Sequence, residues 1–301
     1  MPVSGTLEVI KKGLTAAQIK WIALFFMTVD HLAAFGFEIP LISRHFTNLR
    51  RLGRIAMPLF LFILVQSAHH SRSKPRFLLR LYLAGMGSYL FVAATNFFLG
   101  DWFGVHSPGN IISQFFYIVL CILLIETCIR GVQEKRPAAV VGSVLIGIAA
   151  VLLPPLVCGA LMSLLPQGTG VEYIHLVSDL LMSFLPTVWN GDYGWGLIVL
   201  GVVMYFAGTK RRQCAVFAGF CLLCLTGAFL LPADLGPVGY TYLGSFINTF
   251  CDLGQCYMVL ALPFMMLYNG QRGRGGKWFF YIYYPTHRYA ISVISHLLYP
   301  V

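Results

Sequence analysis

Apolar residues run in long blocks separated by short polar breaks. A helix needs about 20 mostly apolar residues to cross the roughly 30 Å hydrocarbon layer of a bilayer. The pattern predicts spans at Trp21–Phe37, Ile55–Ser67, Phe77–Phe98, Ile111–Cys128, Ala138–Leu165, Tyr173–Val188, Trp195–Ala207, Val216–Leu231, Tyr257–Tyr268 and Trp278–Tyr299. The expected fold is all-α: a polytopic membrane bundle of about nine or ten transmembrane helices. It occupies residues 1–301 as a single transmembrane domain, without internal repeat or low-complexity segment.

Composition agrees. Of 301 residues, 58% are hydrophobic and 11% charged, against about 25% charged in soluble domains, so the bilayer must serve as solvent for most of the surface. The 21 Lys and Arg outnumber the 11 Asp and Glu. In a soluble chain that excess would point to nucleic acid, but here the basic residues cluster between apolar runs, as membrane anchors do. Eight cysteines at 121, 128, 158, 214, 221, 224, 251 and 256 lie nearly all in apolar stretches. The Cys221–Cys224 pair therefore reads as packing rather than metal or redox chemistry. The opening MPVSGTLEVIKKG lacks a signal-peptide cleavage pattern, and the first run reads as a retained helix.

Basic clusters orient the chain. Lys11, Lys12 and Lys20 precede span one, Arg72, Lys74, Arg76 and Arg80 follow span two, and Arg130, Lys135 and Arg136 follow span four. These alternate as a cytoplasmic N-terminus requires. The connections near Asp101 and Gln167 carry no Lys or Arg and belong outside. Lys210, Arg211 and Arg212 fit this scheme only if Val171–Asn190, with Glu172, His175, Asp179 and Pro186, is re-entrant or interfacial. Nine full spans and one partial follow, with the C-terminus outside. Arg44, Arg50, Arg51 and Arg54 violate the rule on the outer side, which gives them a functional or pairing role instead of an anchoring one.

An ionisable group at bilayer depth costs several kcal/mol unless it is paired or faces a cavity. Asp30 and His31 lie in the outer half of span one. An imidazole there can take a proton from an amine or hydroxyl, or can simply bond between helices. Adjacent residues point about 100° apart on a helix, so Asp30 is expected to meet Arg51 or Arg54. Glu126 is expected to pair with Arg130, four residues on. His287 follows Pro285 in a run where a proline frees a backbone carbonyl, a device of cavity-lining helices. His69, His70, Arg72, Lys74, Arg76 and Arg80 form a basic patch suited to lipid head groups or to a phosphate-bearing cofactor. Phosphate-loop, HExxH, GxSxG and paired CxxC motifs are all absent from the sequence.

The stretch KWIALFFMTVDHLAAFGF, then LRRLGRIAMPLFLFILVQSAHHSRSKPRFLLRL, resembles the TraX family of conjugation-associated membrane proteins. The features that carry the resemblance are Asp30-His31, Gly53-Arg54, Pro58-Leu59-Phe60, His70, Arg72 and Arg80. Asn96-Phe97-Phe98, the YGWGLIVLGVV run and the closing KWFFYIYYPTHR follow in order. Residues 130 to 190 match only in hydropathy. Met57 stands where phenylalanine is usual, and Thr286 where an aliphatic residue is common; neither removes a chemical group. More distantly, the chain is similar to the membrane acyltransferase-3 and heparan-glucosaminide acetyltransferase groups, through Lys20 ahead of His31 and an RxxR from Arg51 to Arg54.

The resemblance implies an acetyl-CoA-dependent N-acetyltransferase of the bacterial cytoplasmic membrane, the pilin amino terminus being the family's acceptor. It implies His31 as general base, held by Asp30 and Arg54, with Pro285 and His287 shaping the acceptor side or supplying a second proton-transfer group. It further implies Arg51, His70, Arg72, Arg76 and Arg80 as the acetyl-CoA-binding set. The acceptor would be a peptide, glycan or small amine, or a hydroxyl, reached beside membrane lipid and without nucleic acid or metal. The rival class is a proton-coupled secondary transporter using Asp30, His31 and Glu126; it predicts paired internal repeats, which the sequence lacks.

Overall fold

The structure, a computed structural model, describes residues 13–36, 39–103, 110–166, 168–188, 193–230 and 253–299. Lys11, Lys12, Phe37, Gln167, Asn190, Leu231 and Cys251 lie outside the described residues. The helices are α1 Ala16–Phe35, α2 Pro40–Gly53, α3 Ala56–His69, α4 Lys74–Phe103, α5 Ile111–Gln133, α6 Pro137–Ser163, α7 Val171–Phe184, α8 Gly194–Phe206 and α9 Lys210–Leu230. A 3₁₀ segment Leu253–Ala261, α10 Leu262–Met266 and α11 Lys277–Leu298 complete them. No strand occurs among the described residues, so the all-α expectation holds.

Five helical stretches among the described residues are long and apolar enough to cross a membrane: Pro40–His69, Lys74–Leu99, Ile111–Gln133, Pro137–Ser163 and Lys210–Phe229. Gly194–Phe206 and Gly254–Met266 are shorter apolar helices. This is a multi-pass membrane protein. Its α6 leaves Val144, Leu145, Ile148, Leu152 and Leu156 exposed, a surface that water would penalise and lipid does not.

Two compact units divide the chain: Met1–His69 with Val203–Val301, and His70–Val202. In the first, α1 packs on α2, α3 and α11. Its start is fixed by a capping box, in which Thr15 accepts from the Gln18 backbone and Gln18 from that of Thr15. Apolar all round, α3 is buried all round through Met57, Leu59, Leu61, Phe62, Ile63 and Val65. The turn at 267–272 bonds to the start of α1: Leu14 N–H donates to the Leu267 carbonyl at 2.7 Å and Ala16 N–H to that of Gln271 at 2.8 Å. Gly273, at φ +70°, lies where a Cβ would strike Thr15, so this approach needs glycine twice over. Lys210 Nζ reaches the carbonyls of Met266 and Tyr268 at 2.9 and 2.7 Å, closing the end of α10. In the second unit, α4 packs on α5 and α7, and α5 on α6. There Tyr117 donates to the carbonyl of Pro186 at 2.7 Å.

One difference from the sequence reading stands out at 40–54. Instead of an outer loop, those residues form α2, a strongly amphipathic helix begun by Pro40 at its first turn, with Arg44, Arg50 and Arg51 on it. Its polar face masks the helical period when only hydropathy is followed.

Candidate functional site

Two histidines far apart in the chain meet in the first unit. His31, late in α1, and His287, midway along α11, are hydrogen-bonded through His31 Nδ1 and His287 Nε2. Their ring centroids are 4.6 Å apart. His287 is buried, and its Nδ1 lies 2.8 Å from the Tyr283 carbonyl one turn earlier. The Tyr283 ring stacks on the imidazole at 5.0 Å and 9°. Its hydroxyl lies 2.7 Å from that of Thr28 on α1, which reaches the Leu24 carbonyl at 2.8 Å. His31 keeps 21% of its side chain exposed. His287 is thus the buried member of the pair and His31 the partly exposed one.

Asp30 stands beside this pair, its Oδ2 4.0 Å from His31 Nε2. It bonds Arg50 Nη1 at 2.6 Å, so the expected partners Arg51 and Arg54 are corrected to Arg50. Along α2, Arg50 lies one turn before Arg54 and faces α1, whereas Arg51 turns away to lie over the Tyr257 ring at 5.2 Å. Arg54 caps α2 with its backbone N–H on the Arg51 and Leu52 carbonyls. It joins none of the ion pairs among the described residues. Gly53 makes the packing possible, because a Cβ there would fall on the Asp30 side chain.

The second unit carries the other basic residues. Ser71, Arg72, Ser73, Lys74 and Pro75, with Leu123, Glu126, Ile129 and Arg130, line an open cleft of about 640 Å³. Lys74 Nζ pairs with Glu126 Oε1 at 2.9 Å. Glu126 thus takes Lys74 in place of the expected Arg130, whose Nε lies 3.4 Å from the Glu126 backbone carbonyl. Arg76, Arg80 and His70 are exposed near or along α4, and none of the three lines the cleft. Of the expected acetyl-CoA set, Arg72 alone does so, and Arg51 belongs to the other unit.

The family model described as TraX protein matches residues 15–154. Over that stretch the chain is similar to the TraX family. No curated protein and no solved structure matches the chain. The TraX stretch contains Asp30, His31, Arg50, Gly53, Arg54 and every residue lining the cleft. His287 and Tyr283 lie beyond it, on the last helix, and complete a site begun in the TraX stretch.

Sequence reasoning missed Tyr283 and Thr28, and it gave Arg50 a pairing role within its basic cluster without naming it as the partner of Asp30. Tyr283 was discoverable, since Y-x-x-x-H at one helical turn places an aromatic ring on the histidine's face. Thr28 offered no such signal, because a hydroxyl in an apolar helix usually bonds its own i−4 carbonyl, and Thr28 does that as well. Among the described residues no group of three or more His, Cys, Asp or Glu could hold a metal.

Proposed function

We propose that this chain is a membrane-embedded acetyltransferase that moves an acetyl group from acetyl-CoA to an amine, such as the amino terminus of a pilin-type peptide, or to a hydroxyl acceptor. The observation that carries the reading is the contact of two imidazoles, on the first and last helices, beside the carboxylate of Asp30. Similarity to the TraX family over residues 15–154 supports it. Acetyl transfer needs an uncharged nucleophile and a base of near-neutral pKa, which imidazole supplies. The acceptor nitrogen or oxygen attacks the thioester carbonyl carbon while its proton passes to the pair. The C–S bond then breaks, and the departing thiolate takes the proton to leave as CoA thiol. Arg54, free of the described ion pairs, is the side chain assigned to the developing oxyanion.

For the phosphates of the donor, the cleft offers Arg72 and Arg130 with the Ser71 and Ser73 hydroxyls, groups that suit phosphate oxygens. In this reading the chain sits in a bacterial inner membrane with its N-terminus in the cytoplasm. The transporter alternative loses support, since Glu126, a required relay carboxylate, is held by Lys74.

The test is transfer from labelled acetyl-CoA by the purified chain in lipid. His31→Ala and His31→Gln should each lower turnover by about 10²–10⁴-fold. Near-normal turnover in both would remove His31 as the base. Acetyl-CoA should also raise the unfolding temperature, a response that a proton-coupled carrier has no reason to show.

A further inference from the structure

The hydrogen bonds around the two histidines determine which nitrogen is open. A carbonyl oxygen only accepts, so the bond to Tyr283 requires a proton on His287 Nδ1, and a neutral ring then has a bare Nε2. That bare nitrogen faces His31 Nδ1, which must donate to it. His31 is thereby left with Nε2 bare, next to Asp30. The same logic orients the clamp. Thr28 has one hydroxyl proton and gives it to the Leu24 carbonyl, so the Tyr283 hydroxyl donates to Thr28. Tyr283 is thus tied to α1 at its hydroxyl, while its ring and its carbonyl both hold His287.

We infer that His31 Nε2 is the atom that takes the acceptor's proton, and that His287, held by Tyr283 and Thr28, is the positioning residue that keeps this nitrogen bare. The inference rests on the acetyltransferase reading. As the acceptor's N–H or O–H bond breaks toward His31 Nε2, its electron pair forms the new bond to the thioester carbon. The His31 Nδ1 proton moves to His287 Nε2. Positive charge then resides on the sealed ring, and His31 remains neutral with Nε2–H toward Asp30. When the C–S bond breaks, its electrons go to sulfur; the thiolate takes the Nε2 proton, and His287 returns its proton to His31 Nδ1. Nothing is oxidised or reduced, and both rings end as they began.

Nitrogen NMR of the full chain in lipid nanodiscs, with labelled histidine, reads the tautomers directly. The eight histidines are told apart by comparison with His31→Gln and His287→Gln. The expected spectrum has His31 Nε2 and His287 Nε2 without a proton of their own and His287 Nδ1 with one. A glutamine at 287 keeps an acceptor oxygen where Nε2 stood but cannot take up the proton, so His287→Gln should retain the His31 tautomer while kcat falls roughly tenfold with KM unchanged. His287→Leu offers no acceptor; it should mix the His31 tautomers and lower kcat on the order of 10–100-fold with KM unchanged. A proton found on His31 Nε2 in the neutral pair, or wild-type kcat in His287→Leu, overturns the assignment. Should His287→Leu fail to fold, the wild-type spectrum and the glutamine variant still decide. The NMR arm needs no acetyl donor. The wrong tautomer in an active enzyme sinks this inference alone, and the right tautomer in a chain that never transfers acetyl sinks the acetyltransferase reading.

Discussion

Asp30 is the residue on which the site's geometry turns, and two substitutions measure how it is held. Alanine is favoured over glycine inside a helix by about 1 kcal/mol. At Gly53, however, the added methyl would fall on Asp30, backbone included, where little can give way. Overpacking of that kind costs about 1–3 kcal/mol and wins. Gly53→Ala should therefore lower the unfolding temperature in detergent or lipid; an equal or higher one would contradict the close approach. The second measurement is a double-mutant cycle between Asp30→Asn and Arg50→Gln. Coupling on the order of 1–3 kcal/mol is expected for a half-buried pair, and close to none for Asp30→Asn with Arg51→Gln. Strong coupling to Arg51 would reverse the assignment. At this scale the sequence singled out His31, Asp30 and His287, because ionisable groups are rare in apolar runs. It could not say that the histidines touch, since 256 positions separate them and spacing carries no information at that range.

Elements explain why the arginine partner was misjudged. Choosing among Arg50, Arg51 and Arg54 requires knowing that they sit on a helix and which face that helix presents to α1. A hydropathy scan treats the polar face of α2 as a break between spans. The last helix was easier to read, because Pro285 and His287 stand out in an aromatic run. A proline in a helix interior removes one backbone bond and crowds the carbonyl four residues earlier; the neighbouring carbonyls of Ile282 and Tyr283 meet the side chains of Thr286 and His287. If this arrangement aims His287 at α1, Pro285→Ala should separate stability from function. Restoring the helical bond holds or raises thermal stability, while a shift of about 1 Å at the imidazole costs turnover tenfold or more. Unchanged turnover with raised stability would show that the proline is a packing residue without a role in aiming the pair.

Across the whole molecule, membrane sidedness follows from which ends are tied together. Leu14, the 267–272 turn, Lys210 and the His69 end of α3 are held in one group. Leu14 bonds Leu267, Lys210 reaches the carbonyls of Met266 and Tyr268, and Gln213 Nε2 lies 3.4 Å from His69 Nε2. An even number of crossings must therefore separate His69 from Lys210. α4, α5 and α6 supply three, which leaves one for α7 and α8 together. At 14 residues α7 is about 21 Å long, carries Glu172, His175 and Asp179, and is absent from the apolar helices, whereas α8 is among them. The crossing thus belongs to α8, and α7 stays on the side where α6 ends. Lys210, Arg211 and Arg212 then share a face with Leu14 at the start of α1, as the basic-cluster rule requires. Single cysteines replacing Pro166 and Arg211, in a background lacking the native cysteines, should react from opposite sides: Pro166→Cys with an impermeant maleimide on intact cells, Arg211→Cys only after permeabilisation. Labelling of both from the same side would mean that α7 crosses fully and that the parity argument fails.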